Sequence, residues 1–102
     1  MAETPLEIKI IPGIPPDDRH NIEDALGGKG LDVAGGGGFD DGSESDIMTY
    51  SEKPTAHLQA AIRILRKANV GKGSYIIVNK ADNHPVYSDS EHSSVSPWWK
   101  FW

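Results

Sequence analysis

Cysteine is absent from this 102-residue chain, and that absence excludes several kinds of chemistry together. Disulfides, thiolate nucleophiles, iron–sulfur clusters and thiolate zinc sites all need cysteine. Apolar runs that approach the roughly 20 residues needed to cross a bilayer are also missing. The opening MAETPLEIK lacks the basic and apolar regions of a secretory signal. We therefore expect one small soluble domain with a cytoplasmic location and no membrane partner.

Charge of one sign is missing from each of two adjacent segments. Residues 31–52 hold six acidic residues and no Lys or Arg, whereas residues 53–81 hold six Lys or Arg and no acid. The net charge of −5 conceals this division. Opposite charges of matched magnitude attract within one molecule, between two copies, or between the chain and a partner.

Hydrophobic spacing predicts the element order β-α-β-β-α-β. Alternating apolar residues indicate strands, and the i, i+3, i+4, i+7 spacing of Leu58, Ala61, Ile62 and Leu65 indicates one buried helix face. The predicted strands are 6–11, 31–39, 45–50 and 74–80, with a short edge extension at 85–87; the predicted helices run from Pro16 to Gly27-Gly28 and over 54–71. This order resembles the ferredoxin-like split βαβ fold, an α+β fold whose antiparallel sheet carries two helices on one face. The resemblance is one of topology, and that fold hosts many unrelated functions.

The predicted domain covers residues 1–90 and is followed by an aromatic tail, 91–102. The tail ends in SPWWKFW, which holds half of all the aromatic residues of the chain. Trp residues are frequent hot spots of protein interfaces, and exposed clusters of them are costly in water. We expect the tail to dock on the domain or on a partner.

The stretch AGGGGFDDGSESD, residues 34–46, raises the question of a phosphate or metal site. No dinucleotide fingerprint begins at Gly35, Gly36 or Gly37, and the P-loop pattern fits neither GGKG at 27–30 nor GKGS at 71–74. The carboxylates next to the glycine run would also repel a phosphate. Hard oxygen ligands for a divalent cation are present, but the EF-hand spacing is not. We predict no metal and no cofactor. In a strand through Val33, Gly35 and Gly37 continue one face, where a helix, the tail or a partner can approach the backbone closely.

Catalysis and nucleic-acid binding are both disfavoured. The chain has no G-x-S-x-G elbow, and the loop PGIPPDDRH places three prolines and two aspartates where ferredoxin-like acyl phosphatases use a backbone anion cradle. RNA-recognition domains stack bases on aromatic residues of their first and third strands. Here LEIKII has no aromatic residue and SDIMTY has only Tyr50. A secondary basic patch of Arg63, Arg66 and Lys67 reads as a solvated helix face, and we predict neither an enzyme nor a nucleic-acid partner.

The leading hypothesis is a non-catalytic acidic protein-binding module, an inhibitor or immunity-type protein that blocks a basic surface of a partner such as a toxin or nuclease. The predicted partner-binding residues are the acidic Asp40, Asp41, Glu44 and Asp46 and the apolar anchors Trp98, Trp99 and Trp102. Two alternatives stay open. One is a small-ligand- or metal-binding enzyme or sensor that uses the glycine-rich strand and the acidic hairpin. The other is a self-associating regulatory domain that forms a homodimer.

Overall fold

The computed structural model describes residues 3–38 and 41–87, which form five antiparallel strands and two helices. The elements are β1 (Thr4–Ile10), α1 (Pro16–Gly28), β2 (Asp32–Gly38), β3 (Ser45–Ser51), α2 (Pro54–Lys67), β4 (Tyr75–Val78) and β5 (Asp82–Pro85). The predicted α+β class, with an antiparallel sheet and two helices, is confirmed. The predicted aromatic tail lies outside the described residues.

The sheet has the order β2-β3-β1-β4-β5, so its strand order differs from the four-stranded ferredoxin-like arrangement predicted from the sequence. The additional strand, β5, forms a hairpin with β4. Asn79 and Lys80 both have positive φ, 56° and 60°, and Ala81 donates its amide to the carbonyl of Val78. Two central residues with positive φ give the turn whose twist suits a tight hairpin. The strand predicted at 74–80 therefore ends at Val78, and β5 overlaps the predicted edge extension at 85–87 only at Pro85.

Both helices begin with a proline, at Pro16 and Pro54, where the missing amide hydrogen costs nothing. Their apolar stripes pack against the same side of the sheet and against each other. The core consists of Leu6, Ile8, Ile10, Ile22, Leu26, Leu31, Ile47, Leu58, Ala61, Leu65, Val70, Ile76 and Val86. Each buried Leu or Ile side chain contributes about 1.5–3 kcal/mol relative to exposure.

Helix α2 ends at Lys67 rather than at the predicted residue 71. Asn69 adopts the left-handed conformation, with φ 58°, and the amide of the next residue, Val70, donates to the carbonyl of Leu65. This 6→1 hydrogen bond, with a buried apolar residue just beyond the left-handed position, is the Schellman motif that closes a helix. Asn69 was therefore the stop signal, because it tolerates left-handed backbone better than most residues.

The predicted face of the glycine strand was wrong, because the pairing of β2 with β3 shifts by one residue between Val33 and Gly35. A bulge of this kind reverses which side each later residue faces. Gly36 lies opposite Ile47 on the helix side, whereas Gly35 and Gly37 lie on the other side.

The close backbone approach predicted for the glycine strand occurs at Gly36 instead. A methyl group there would lie 2.5 Å from Oε2 of Glu23 and 2.8 Å from the carbonyl oxygen of Asp46. Glu23 is held by Arg19, whose Nε lies 3.2 Å from the same oxygen. The helix α1 therefore lays an ion pair across the glycine strand, and a side chain at residue 36 would obstruct it.

Candidate functional site

The sheet presents a second face, opposite the helices, which we call the open face. Side chains alternate between the two sides of a strand, so the residues next to the core positions of β1, β3 and β4 point away from the helices. The open face is formed by Pro5, Glu7, Lys9, Asp46, Met48, Tyr50, Tyr75 and Ile77, all of them partly exposed. Antiparallel pairing of β1 with β3 and with β4 places them in rows that cross the sheet. One row contains Met48, Glu7 and Ile77, and the next contains Asp46, Lys9 and Tyr75.

Two acidic side chains converge on one lysine at the end of the open face nearest the β2–β3 hairpin. Nζ of Lys9 lies 3.4 Å from Oδ1 of Asp46 and 3.7 Å from Oε2 of Glu44. Burial alone would lower the pKa of Lys9, but the charge and hydrogen bond of Asp46, with a smaller contribution from Glu44, raise it. One ammonium between two carboxylates leaves this trio with an excess negative charge.

The two carboxyl groups of the trio also act on each other. A hydrogen bond with Asp46, burial, and the negative charge of Asp46 together raise the pKa of Glu44 above its ordinary value. Oδ1 of Asp46 is shielded from solvent, although the side chain as a whole is 37% exposed. Its close partner among the described residues is the Lys9 ammonium. Asp46 is therefore held in place by the fold, and it is less accessible to a binding partner than the acid at the hairpin tip.

The hairpin tip carries the more accessible predicted acid, Asp41. Its Oδ1 accepts the amide hydrogen of Ser43 at 2.9 Å, and hydrogen bonds from Ser43 lower the pKa of Asp41. Gly42 between them has a φ of 75°, which completes a compact turn. The carboxylate is thus held ionised and exposed. Asp40 lies outside the described residues, as do Trp98, Trp99 and Trp102.

The structure separates the three residues of the predicted basic patch. Arg63 and Lys67 line a groove of about 690 Å³ between α1 and α2. Arg66 instead donates from Nε to the carbonyl oxygen of Val86 at 2.7 Å and lies 5.9 Å from the centroid of the Tyr87 ring. This contact fixes the chain as it leaves β5. Arg66 has a structural partner, whereas Arg63 and Lys67 belong to a surface groove.

A serine–histidine pair is present, but its contacts are those of a structural hydrogen bond. The Ser51 hydroxyl hydrogen-bonds Nδ1 of His57 and accepts the amide hydrogen of Lys53 at 2.9 Å. Ser51 is 1% exposed, so its oxygen is inaccessible to a substrate. The pair ties the start of α2 to the end of β3.

Metal-binding and membrane-spanning features are also missing from the described part of the chain. Within residues 3–38 and 41–87, no three His, Asp or Glu side chains lie close enough together to hold a metal ion. Over the same residues, neither helix combines the length and apolar character that crossing a membrane requires.

Comparison with known proteins gives no match to a family model, to a curated protein or to a solved structure. Function is therefore inferred from the geometry of the chain itself. Sequence reasoning identified the acidic hairpin but missed Met48, Tyr75 and Ile77 as members of one surface. The available signal was strand alternation, since each of them neighbours a core position. The sequence alone did not reveal the register that places β3 and β4 on either side of β1.

Proposed function

We propose that this protein is a non-catalytic binding module whose open face and acidic hairpin dock on a basic surface of a partner protein. An inhibitor or immunity-type protein acting on a cytoplasmic toxin or nuclease has this physical character. The observation that carries the proposal is the juxtaposition on one surface of partly exposed apolar side chains with carboxylates. A partner that offers both apolar side chains and cations would complement both kinds of group when it covers this surface.

The apolar part of this surface consists of Met48 and Tyr50 on β3 and Tyr75 and Ile77 on β4, the two strands that flank β1. Tyr and Met are enriched at protein interfaces, because they offer a large contact area with adaptable or amphipathic side chains. Met48 and Ile77 both pair in register with Glu7 of the central strand β1. An anchor side chain of the partner placed there would touch apolar groups on both sides of a carboxylate.

The acidic part gives the surface its charge preference. Glu7, Asp41, Glu44 and Asp46 lie on the open face or at its hairpin end, and Lys9 is the cation that the described residues place among them. Lys9 is engaged by two of these carboxylates and cancels one of their charges, so the surface keeps a net negative charge. Charges of this kind act mainly on the rate of association and on its dependence on salt.

The remaining sequence predictions belong to the same proposal. Asp40 stays a predicted recognition residue, and Trp98, Trp99 and Trp102 stay predicted apolar anchors. The ferredoxin-like relationship is also part of it, and is supported by the packing of both helices on one side of the sheet.

The test uses a pair of charge reversals in the full chain. Asp41→Lys changes the open-face end of the molecule, while Asp24→Lys makes the same change in net charge on α1. Asp24 is exposed and lies on the helix layer. A partner captured with the wild-type protein is purified, and its association rate is measured over a range of salt concentrations. We expect Asp41→Lys to slow association about three- to tenfold and to flatten the salt dependence, with Asp24→Lys close to wild type.

A second pair of variants tests the apolar contacts. Ile77→Ala should increase the dissociation rate of the same complex, because interface substitutions act mostly on dissociation. Ala56→Ser, on the exposed surface of α2, serves as the control. Equal association rates for the two charge variants, together with an unchanged dissociation rate for Ile77→Ala, would overturn the open face as the binding surface.

A further inference from the structure

The helix layer carries a groove that the open face does not explain. The groove lies between α1 and α2 and has a volume of about 690 Å³. Its apolar lining is Ile14, Ile22, Ala25, Ala60, Ile64, Ala68 and Val70. Of these, Ala25 and Ala68 are exposed and Ile14 and Ile64 are only partly buried. The groove thus leaves apolar surface in water between two helices that bury their opposite sides in the core.

The two helices that border the groove differ in charge. Asp17, Asp18 and Asp24 of α1 are all exposed; Asp18 lines the groove at the start of the helix, and Lys29 lines it just beyond the end. Helix α2 contains no acidic residue, and its Arg63 and Lys67 line the opposite wall. Within the described ranges, no ion pair joins Arg63 or Lys67 to an acid. Each wall therefore offers a charge that a complementary surface can satisfy.

The strand directions fix how the helices run. Both β2 and β1 pair antiparallel with β3, and β4 pairs antiparallel with β1. Helix α1 therefore connects two strands of one direction and α2 connects two of the other, so the helices are antiparallel. The start of α1 consequently lies beside the end of α2, which places Asp18 and Lys67 at the same end of the groove.

We propose that this groove is a self-association surface, in which α1 of one copy lies over α2 of a second copy around a two-fold axis parallel to the helices. Rotation about such an axis exchanges the two helices while keeping each residue at its height along the groove. Asp18 of each copy then faces Lys67 and Arg63 of the other. One contact is formed twice, as a two-fold interface requires, and the exposed apolar lining is covered on both sides.

Self-association through the helix layer leaves both open faces pointing outward. It is independent of the proposed docking function, since neither Asp18 nor Lys67 lies on the open face. If both hold, the dimer presents two acidic surfaces on opposite sides, and a bivalent partner would bind it with a gain in avidity.

The experiment is a charge exchange followed by sedimentation velocity over a concentration series. The wild type should sediment as a dimer at the higher concentrations. Asp18→Lys and Lys67→Asp, each alone, place like charges against each other at both copies of the contact. We expect each to raise the dissociation constant about tenfold or more, as reversal of two charge pairs would.

The decisive sample is the equimolar mixture of the two variants. In a mixed dimer, the lysine introduced in one variant faces the aspartate introduced in the other at one contact, and the native pair is restored at the second contact. Dimerisation should therefore return toward the wild-type level. That recovery also shows that both variants are folded. Lys80→Asp, in the β4–β5 turn, has the same charge change as Lys67→Asp away from the groove and should leave the dimer unchanged.

Several results would overturn the proposal. A wild type that stays monomeric at all concentrations would do so, as would a dimer that survives both single variants or a mixture that fails to recover. A full-length chain carrying Trp98→Ser, Trp99→Ser and Trp102→Ser provides a further comparison. If those changes dissociate a dimer that the groove variants leave intact, the association surface includes the tryptophans rather than the groove.

Discussion

The two faces of the sheet are made from alternate residues of the same strands, yet they have opposite physical character. Ile8 and Ile76 on the helix side have no solvent exposure, while Lys9 and Ile77, their immediate neighbours in sequence, are partly exposed on the open face. The helix side joins apolar groups in a close-packed core, and the open side mixes apolar groups with carboxylates. A single step along a strand therefore separates a side chain of the core from one of the proposed binding surface, so substitutions on the two faces should have different consequences.

The largest difference should come from two adjacent isoleucines of β4. Ile76→Ala removes a fully buried side chain and should lower the free energy of unfolding by about 2–5 kcal/mol. Ile77→Ala removes a partly exposed one and should cost about 1 kcal/mol. Urea unfolding followed by circular dichroism measures both. Similar losses for the two variants would mean that the open face is packed as tightly as the core, which would contradict the difference described between the two faces.

Two adjacent glycines of β2, Gly36 on the helix side and Gly37 on the open face, test the same difference between the two faces. Gly36→Ala brings a methyl group against the Asp46 carbonyl and the Arg19–Glu23 ion pair, and should cost about 1–3 kcal/mol. At Gly37 nothing lies within 4 Å of an added methyl group, so Gly37→Ala should change stability by no more than about 0.5 kcal/mol.

The same urea unfolding experiments measure the stability of both glycine variants. If Gly36→Ala is as stable as Gly37→Ala, the ion pair of α1 does not rest on the strand as described. Combining Gly36→Ala with Glu23→Ala sharpens the test, since it removes the nearest obstruction and leaves the backbone one. The cost that Gly36→Ala adds in the Glu23→Ala background then reports on the Asp46 carbonyl at 2.8 Å and on the flexible Arg19 side chain at 3.1 Å.

How much of this was predictable from the sequence differs between elements. Alternation and helical spacing are local, and they correctly indicated the strands and helices and the burial of Leu58 and Leu65. The bulge after Val33 was not predictable in the same way, because the extra residue is Ala34, next to four consecutive glycines at which a bulge would be expected as readily. The β4–β5 hairpin was missed because Lys80 is an unusual residue for positive φ. Its neighbour Asn79 was the usable signal.

The candidate site shows the same limit. The acidic hairpin was visible as composition, and the structure places Asp41 at an exposed turn. That Asp46 and Glu44 share Lys9 was not visible, because Lys9 comes from a strand far away in sequence and only the β1–β3 register brings it opposite Asp46. Local pattern therefore predicts which residues are charged, while strand register determines which of those charges are already paired.

The smallest expected effect is a change in the titration of Glu44, which lies beside Asp46, with no change in that of Asp41, which does not. In the wild type, the hydrogen bond with Asp46, burial and the charge of Asp46 raise the pKa of Glu44 above its ordinary 4.5. Asp46→Asn removes the negative charge and offers an amide donor to the ionised carboxylate, so the pKa of Glu44 should fall. The pKa of Asp41, lowered by Ser43, should stay unchanged, because that turn does not involve Asp46. Carbon-detected NMR titration of the side-chain carboxyls reads both groups in one experiment.

The sign of the accompanying stability change follows by linkage. A carboxyl whose pKa is raised on folding stabilises the folded state while it is protonated, and that contribution is lost as the pH rises through the folded pKa. The wild type should therefore lose a small stabilising contribution from Glu44 in the range just above pH 4.5, and Glu44→Gln should remove this dependence. The raised pKa of Lys9 acts at the other end, since its contribution is present below its ordinary 10.5 and lost as the pH rises through the folded value. If Asp46→Asn left the titrations of Glu44 and Lys9 both unchanged, the three groups would not form one cluster, and the open face would carry its acids as independent charges.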